Sequence, residues 1–546
     1  MQKGFIRNTA VLFAAMFISK ALGAVLKIPL GNILGGEGMG YFTTAYSLFT
    51  PVLSFVCAGI PTILTRNVAA YAAEGDHGKV RKTRQCSLLL AAIVGIAGTA
   101  LICIAAVPFV CYIANSPESL PGVLLIAPSA LFCSITAVYR GYYEGLSDML
   151  PTALSQVIEA FVKALLGVGL SYYVYSNGVR LFGSQQASLP YAAAAAILGV
   201  TISEFAGMLF ILIRSRNKSD SFRGHGGKMT SDEMFRICRG IVVKALPVSL
   251  GATAANLIAL ADMFTISNCI DLSVNLFPDK WAGDPVVMSG VHSVGNFMYG
   301  CYAGIIMSVY MLITAVSGVV GRCAMPRLAA AAGRTDEAAI SREIRLTIKG
   351  TAVLTAPLTV FTAVLAEPIL KLLYPVRETE VAVSVLPLAV LGAGGLAAGL
   401  LGAVCTVFLA YGDFGTPIRI TLIGGALKLM FNVLFITLPS VNITGAAISA
   451  VLSNIICLIF AVRSAKKRLG AQIPYIRYAL PSAFAAAGGG IGIYLFRGGL
   501  TGVIGDPGSM FVSALLGGIM YALMLYIADS SDCSAALKML TSRRKA

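Results

Sequence analysis

Apolar stretches of about twenty residues recur from one end of this chain to the other, each long enough to cross ~30 Å of hydrocarbon as an α-helix. Inside a bilayer every backbone polar group needs a partner within the protein, which leaves helices or a closed barrel. Barrel strands alternate polar and apolar residues with period two, and these stretches do not. Fourteen spans are read, at residues 6–30, 41–64, 87–113, 120–139, 152–176, 190–213, 241–267, 298–321, 348–373, 382–410, 418–438, 443–462, 475–496 and 509–528. The composition agrees: 57% of the 546 residues are hydrophobic and 12% are charged, against about a quarter charged in soluble domains. The chain reads as an all-α polytopic membrane protein.

The formal net charge is +16, but the basic residues do not form one patch. They fall in alternate loops, such as Lys79 to Arg84, Arg214 to Arg239 and Arg463 to Arg468, while "NSPESLP", "YPVRETE" and "PSVN" between them are poor in lysine and arginine. Such alternation is the positive-inside bias. It predicts a multi-pass protein of the bacterial cytoplasmic membrane with both termini in the cytoplasm, and it excludes a nucleic-acid partner. Twelve cysteines, none in a CxxC pair, read as small packing residues rather than metal or redox ligands. His77, His225 and His292 fall in loops, and neither HExxH nor GxxxxGK[ST] occurs. The expectation is no catalytic residue, no metal, no cofactor and no ATP hydrolysis. The basic N-terminal flank leads into a long span without a short cleavable core, so it reads as a first transmembrane helix.

The chain also repeats itself. "AGIPTILTRNVAAYAAEGD" (58–76) resembles "SGVVGRCAMPRLAAAAGRTD" (317–336), and "GLSDMLPTALSQVIEAFVKALLG" (145–167) resembles "YGDFGTPIRITLIGGALKLMFN" (411–432). Each pair is separated by roughly 260 residues and six spans. An even number of spans gives both copies the same orientation, the parallel-repeat type of transporter. The expected organisation is two six-helix lobes, 1–222 and 223–469, followed by helices thirteen and fourteen with a tail, 470–546.

A charge near mid-bilayer costs about 2.5–3.5 kcal/mol on translocon scales, so such residues face a cavity or a partner. Lys20, Lys27, Lys163 and Lys428, with the neutral Asn256 and Asn432, are candidates for binding an anionic substrate. Glu159, Glu204 and Asp262 are candidates for coupling to a proton or monovalent cation. Glu159 and Lys163 stand four apart with the acid N-terminal, the favourable orientation for a helical pair. Lys20 and Lys27 also suit snorkelling to an interface. In "RGYYEGLSDMLP", Gly141 and Gly145 read as bend points, Asp148 as the turn acid and Pro151 as the first helical residue. Arg140, Tyr142 and Tyr143 read as headgroup anchors. This loop is a candidate hinge.

"LGNILGGEGMGYFTTAYSLF" (30–49), "RGYYEGLSDMLPTALSQVIEAFVK" (140–163), "FMYGCYAGI" and "MPRLAAAAG" are similar to the multidrug/oligosaccharidyl-lipid/polysaccharide exporter superfamily. Within it they most resemble the stage V sporulation protein B branch of polysaccharide biosynthesis proteins, near relatives of the murein lipid II flippases. The resemblance spans all fourteen helices. It implies a monomeric exporter that moves an undecaprenyl-pyrophosphate-linked saccharide between leaflets by alternating access, with membrane lipids as its surroundings. Flippases of that group place arginines in the cavity. Here Lys20 stands at one such position, Leu26 beside Lys27 at a second, Leu53 and Ser54 on the second helix, and Gly304 or Ile305 on the eighth. A multidrug antiporter of the same fold, a saccharide polymerase and a non-transporting assembly scaffold are the alternatives. An antiporter would favour acidic and aromatic cavity residues over lysine.

Overall fold

The computed structural model describes residues 2–217, 230–288, 290–333, 337–469 and 475–528. All regular structure among them is helical, and thirteen helices are long and apolar enough to cross a membrane, from Leu26–Ala73 to Gly505–Ala528. These correspond one for one with the second to fourteenth spans read from the sequence. The first span belongs to the Gln2–Ala73 helix, which breaks at Gly35 (φ 64°, ψ −168°). The Tyr475–Ala528 helix breaks in the same way at Gly505 (φ 73°, ψ 170°). That region of backbone space is open essentially to glycine alone, so one residue divides each long helix into two spans. The ninth span, read as 348–373, is interrupted, and forms Glu337–Val364 and the short Ala366–Leu373.

Three of the described turns share one design. Gly75, Ser147 and Gly412 each adopt a left-handed conformation, with φ of 73°, 59° and 77°. At each, the N–H of the following aspartate reaches back to the carbonyl five residues earlier: Asp76 to Tyr71 (2.9 Å), Asp148 to Tyr143 (2.9 Å) and Asp413 to Phe408 (3.0 Å). The left-handed residue donates to the carbonyl three before it in all three turns. This double closure satisfies carbonyls that a helix end would otherwise leave open. Asp76 then accepts from the N–H of Lys79 (2.9 Å), and Asp413 from the N–H (3.0 Å) and hydroxyl (2.6 Å) of Thr416, which caps the next helix. The pairing of 145–167 with 411–432 is thus a repeat of backbone geometry as well as of letters. The "GRTD" end of the other pair, His225 and the basic tail lie outside the described residues.

The chain divides into two compact units, Met1–Asn275 with Ala282–Ile305, and Leu276–Trp281 with Ile306–Ala546. The boundary expected at 222/223 is therefore displaced: the seventh helix, Ser231–Leu276, and the start of the eighth pack with the first six. Small residues explain the move. Gly59 lies where a Cβ would press on the Ala245 carbonyl and the Ser249 hydroxyl, and Ser249 Oγ donates to the Phe55 carbonyl at 2.8 Å. Gly40 lies equally close to Asn296. The last two helices are not a separate domain either. Ala485, Ala486, Tyr521 and Leu525 share a buried cluster with Ala356, and the Tyr521 hydroxyl donates to the Val353 carbonyl at 2.7 Å.

Candidate functional site

The Ser129–Gly145 and Leu150–Ser176 helices form a hairpin around the Ser147 turn. On the first, Ala137, Arg140, Gly141 and Glu144 follow Cys133 by four, seven, eight and eleven residues, which is one helical face. Arg140 is inside this helix, not in a loop, and it does not act as a headgroup anchor. Its Nη2 donates to Glu159 Oε1 at 2.6 Å and its Nε to Ser155 Oγ at 2.9 Å. Tyr142 and Tyr143 are buried as well, with the Arg84 guanidinium 4.9 Å from the Tyr142 ring centre. Nor are Gly141 and Gly145 bend points. A Cβ on Gly141 would approach the Pro61 carbonyl to 2.8 Å, and one on Gly145 the Thr65 carbonyl to 2.8 Å. Their role is to let this helix lie against 36–73. The bend itself belongs to Ser147, before Asp148, and Pro151 occupies the first turn of the next helix as expected.

The ion pairs differ from the expected one. Glu159 pairs with Arg140, and Lys163 pairs with Glu204 Oε1 at 3.4 Å. The other Glu204 oxygen accepts from the Cys133 thiol at 3.1 Å. A pair four apart on one helix loses to partners on neighbouring helices because those helices lie very close. Gly199 sits where a Cβ would come within 2.6 Å of Gly167 Cα, and at Gly207 a Cβ would overlap the Glu159 carboxylate. The absent side chain at 207 is what leaves room for that carboxylate.

A cavity of about 440 Å³ opens beside these groups. One wall is the face 53, 57, 61, 62 and 65 of the second helix; the other is the Arg140 face, with Glu159 and Glu204 between. The twelve steps from Leu53 to Thr65 correspond to about 18 Å of helix, so the cavity is an elongated groove. Its charged lining is one guanidinium, Arg140, against three carboxylates, Glu144, Glu159 and Glu204. No lysine is among the residues that line this cavity. Such a site can hold cationic or hydrogen-bond-donating groups along the carboxylates. It can also offer Arg140, and Lys163 behind it, to an anion that displaces their present partners.

The remaining candidates are dispersed. The half-buried Lys27 directs its amine to the Ala303 carbonyl at 3.4 Å. Asn256 donates to Ser54 Oγ at 2.6 Å. Asp262 is half-buried on the Ser231–Leu276 helix and does not line the groove. Lys428, half-buried, and Asn432, fully buried, belong to the second unit. The side chain of Lys20 lies outside the described residues. Glu144, Cys133, Thr65 and Gly207 were missed from sequence. The signal for the first two was the stripe through 133, 137, 140 and 144, which a search confined to charges deep inside spans passes over.

Residues 5–331 match the family described as polysaccharide biosynthesis protein. The chain is similar to stage V sporulation protein B of Bacillus subtilis (strain 168), with 23% identity covering 88% of this chain and 87% of the relative. It is similar to lipid II flippase MurJ of the same organism, with 25% identity over 39% of each chain. Among solved structures, lipid II flippase MurJ in an inward closed conformation superposes with a TM-score of 0.67 at 15% identity, covering 95% of this chain and 98% of that one. An inward-facing multidrug resistance MATE family transporter of the MOP superfamily gives 0.66 at 15% identity, covering 84% and 98%.

Proposed function

Because the chain belongs to the polysaccharide biosynthesis protein family and has the fold of the multidrug/oligosaccharidyl-lipid/polysaccharide exporters, we propose that it is a flippase for a lipid-linked saccharide. The substrate is an undecaprenyl-pyrophosphate-linked saccharide, a peptidoglycan or polysaccharide precursor. It crosses the cytoplasmic membrane by alternating access, with both termini in the cytoplasm. The observation that carries the reading is the groove at Arg140. A charged, elongated cavity among membrane-spanning helices has no use in packing, and it gives a polar headgroup a path that lipid does not. The likeness to a lipid II flippase supports the same substrate class.

The residues suggest how the headgroup is held. Arg140 and Lys163 each face a carboxylate now. A pyrophosphate carries two or more negative charges and competes with Glu159 and Glu204 for them. The guanidinium can grip it through two nitrogens, and the amine as a point charge. A carboxylate released in this way takes a proton or monovalent cation, which would couple headgroup binding to an ion gradient. Lys20, Lys27 and Lys428, with Asn256 and Asn432, remain candidates for contacts elsewhere along the path, and Asp262 for the coupling ion.

The acidic balance of the groove favours a second reading, an antiporter for organic cations. Reconstitution separates the two. In vesicles carrying a fluorescent undecaprenyl-pyrophosphoryl saccharide, the flippase reading expects leaflet exchange that falls at least tenfold in Arg140→Ala and Lys163→Ala, about the effect of one lost charged hydrogen bond. Uptake of cationic dyes with no lipid exchange, abolished by Glu159→Gln, would replace it with the antiporter.

A further inference from the structure

We propose that the end of the groove nearest the Ser147 turn, at Glu144, recognises a free ammonium group on the transported saccharide. This rests on the flippase reading and narrows its substrate to saccharides that carry an unblocked amine.

Most charged groups in and beside the groove are already engaged. Arg140 is held by Glu159 and Ser155, and Glu204 by Lys163 and the Cys133 thiol. Glu144 is different. It lines the cavity, yet among the described residues its carboxylate makes no hydrogen bond or ion pair. Arg140 is one turn away on the same helix, but its guanidinium is turned to Glu159. Glu144 is half-buried, and its carboxylate is left open to a ligand in the groove.

The two hydroxyls that line the groove point to a ligand that donates. Thr62 Oγ1 gives its hydrogen to the Ala58 carbonyl at 2.6 Å. Thr65 Oγ1 lies 2.9 Å from both the Pro61 and Gly141 carbonyls. With their hydrogens spent, both threonines turn only lone pairs to the cavity. Together with the two Glu144 oxygens they form a wall of acceptors. A phosphate or sugar carboxylate, itself an acceptor, finds nothing there. An alkylammonium supplies three donors and a positive charge.

A bare metal ion suits the wall less well. It needs its oxygens converging within about 2.6 Å, and no group of three or more His, Cys, Asp or Glu among the described residues is placed to hold one. Glu144 and Cys133, the latter marking the Glu204 end, are eleven residues apart on one helix, or about 16 Å. Charges spread over that length suit an extended organic molecule with an anionic and a cationic part. The pyrophosphate would engage Arg140 and Lys163, and the amine would engage Glu144.

The test compares one lipid in two forms: an undecaprenyl-pyrophosphoryl disaccharide with a free 2-amino group, and the same lipid N-acetylated. Equilibrium binding to the purified full chain in detergent should be about tenfold tighter for the free amine, the size of one hydrogen bond to a charged group. Glu144→Gln should bring the ratio below twofold, and Glu144→Asp should keep part of it. Equal affinities in the wild type, or a preference that survives Glu144→Gln, overturn the inference. If the affinity difference stands while neither lipid is moved between leaflets in vesicles, the ammonium site stands and the flippase reading falls. Binding of neither form overturns both.

Discussion

The hairpin of the first unit and its counterpart in the second share a backbone and differ in charge. Counted from its left-handed residue, each places a lysine sixteen positions on, Ser147 to Lys163 and Gly412 to Lys428. By the same count Arg140 corresponds to Cys405, Glu144 to Leu409 and Glu159 to Gly424. The second copy keeps the turn, its aspartate and the lysine, and it replaces the other three charges with apolar or small residues. A Cβ at Gly424 would come within 2.7 Å of Cys457 Sγ, so the space that a carboxylate takes in one unit is closed in the other. The scaffold folds with or without these charges. Buried pairs are weak contributors to stability, which leaves the cluster in the first unit to be explained by what it binds.

The comparison breaks most readily where charge is added. Gly424→Glu should cost about 3 kcal/mol from the buried carboxylate, with further loss from crowding Cys457 and partial relief from Lys428 one turn on. Thermal unfolding in detergent measures it, and a neutral outcome would mean that the second hairpin tolerates the site of the first. Arg140→Ala comes next, at about 2–3 kcal/mol, because it strands Glu159; this is at the low end for a broken buried pair, since the two side chains keep 19% and 11% exposure. Replacing Arg140 and Glu159 together by methionine should recover most of that stability while leaving transport lost. A double variant as unstable as the single would show that the pair holds the fold after all.

Exchange of the turn residues should be smaller and of opposite sign. Ser147→Gly removes the strain of a left-handed serine and should stabilise by about 1 kcal/mol, and Gly412→Ser should cost about as much. The pH effect is the smallest. The Thr416 hydroxyl, and after it the Thr416 N–H, hold the Asp413 carboxyl below the usual carboxylate range. Its contribution is therefore complete above the unfolded value of about 3.9, and is lost as pH falls through the lower folded value. Asp413→Asn should flatten that acid limb of the unfolding midpoint and leave the neutral region nearly unchanged. An unaltered acid limb would remove the capping role.

The spans and the repeat were legible because their causes are local. Twenty apolar residues make a span whatever surrounds them, and a Gly-Asp-Pro turn carries its own hydrogen bonds. The wiring of the charges was not legible. Glu159 and Lys163 satisfy the helical rule for a pair, but partners on two neighbouring helices outcompete it, and the glycines at 167, 199 and 207 bring the Glu204 helix close. Arg140 looked like an interface residue because it stands eight positions before the turn acid. The structure carries the helix on through Gly145, which takes Arg140 inward by a turn and a half more than the letters suggest. The division at 222/223 failed for a related reason, since close contact at Gly59 and Gly40 does not depend on which repeat a helix came from.

The hairpin also has a consequence for how the protein is made. Arg140 and Glu159 are nineteen residues apart and joined by a single tight turn. The two therefore become available to each other as soon as synthesis passes the second, before the sixth helix with Glu204 exists. Either charge alone would resist leaving the translocon for lipid; together they enter as a neutral dipole. Lys163 has no such early companion on a neighbouring helix and must wait for the next strand of the nascent chain, so the order of translation sets the order in which the groove acquires its electrostatics.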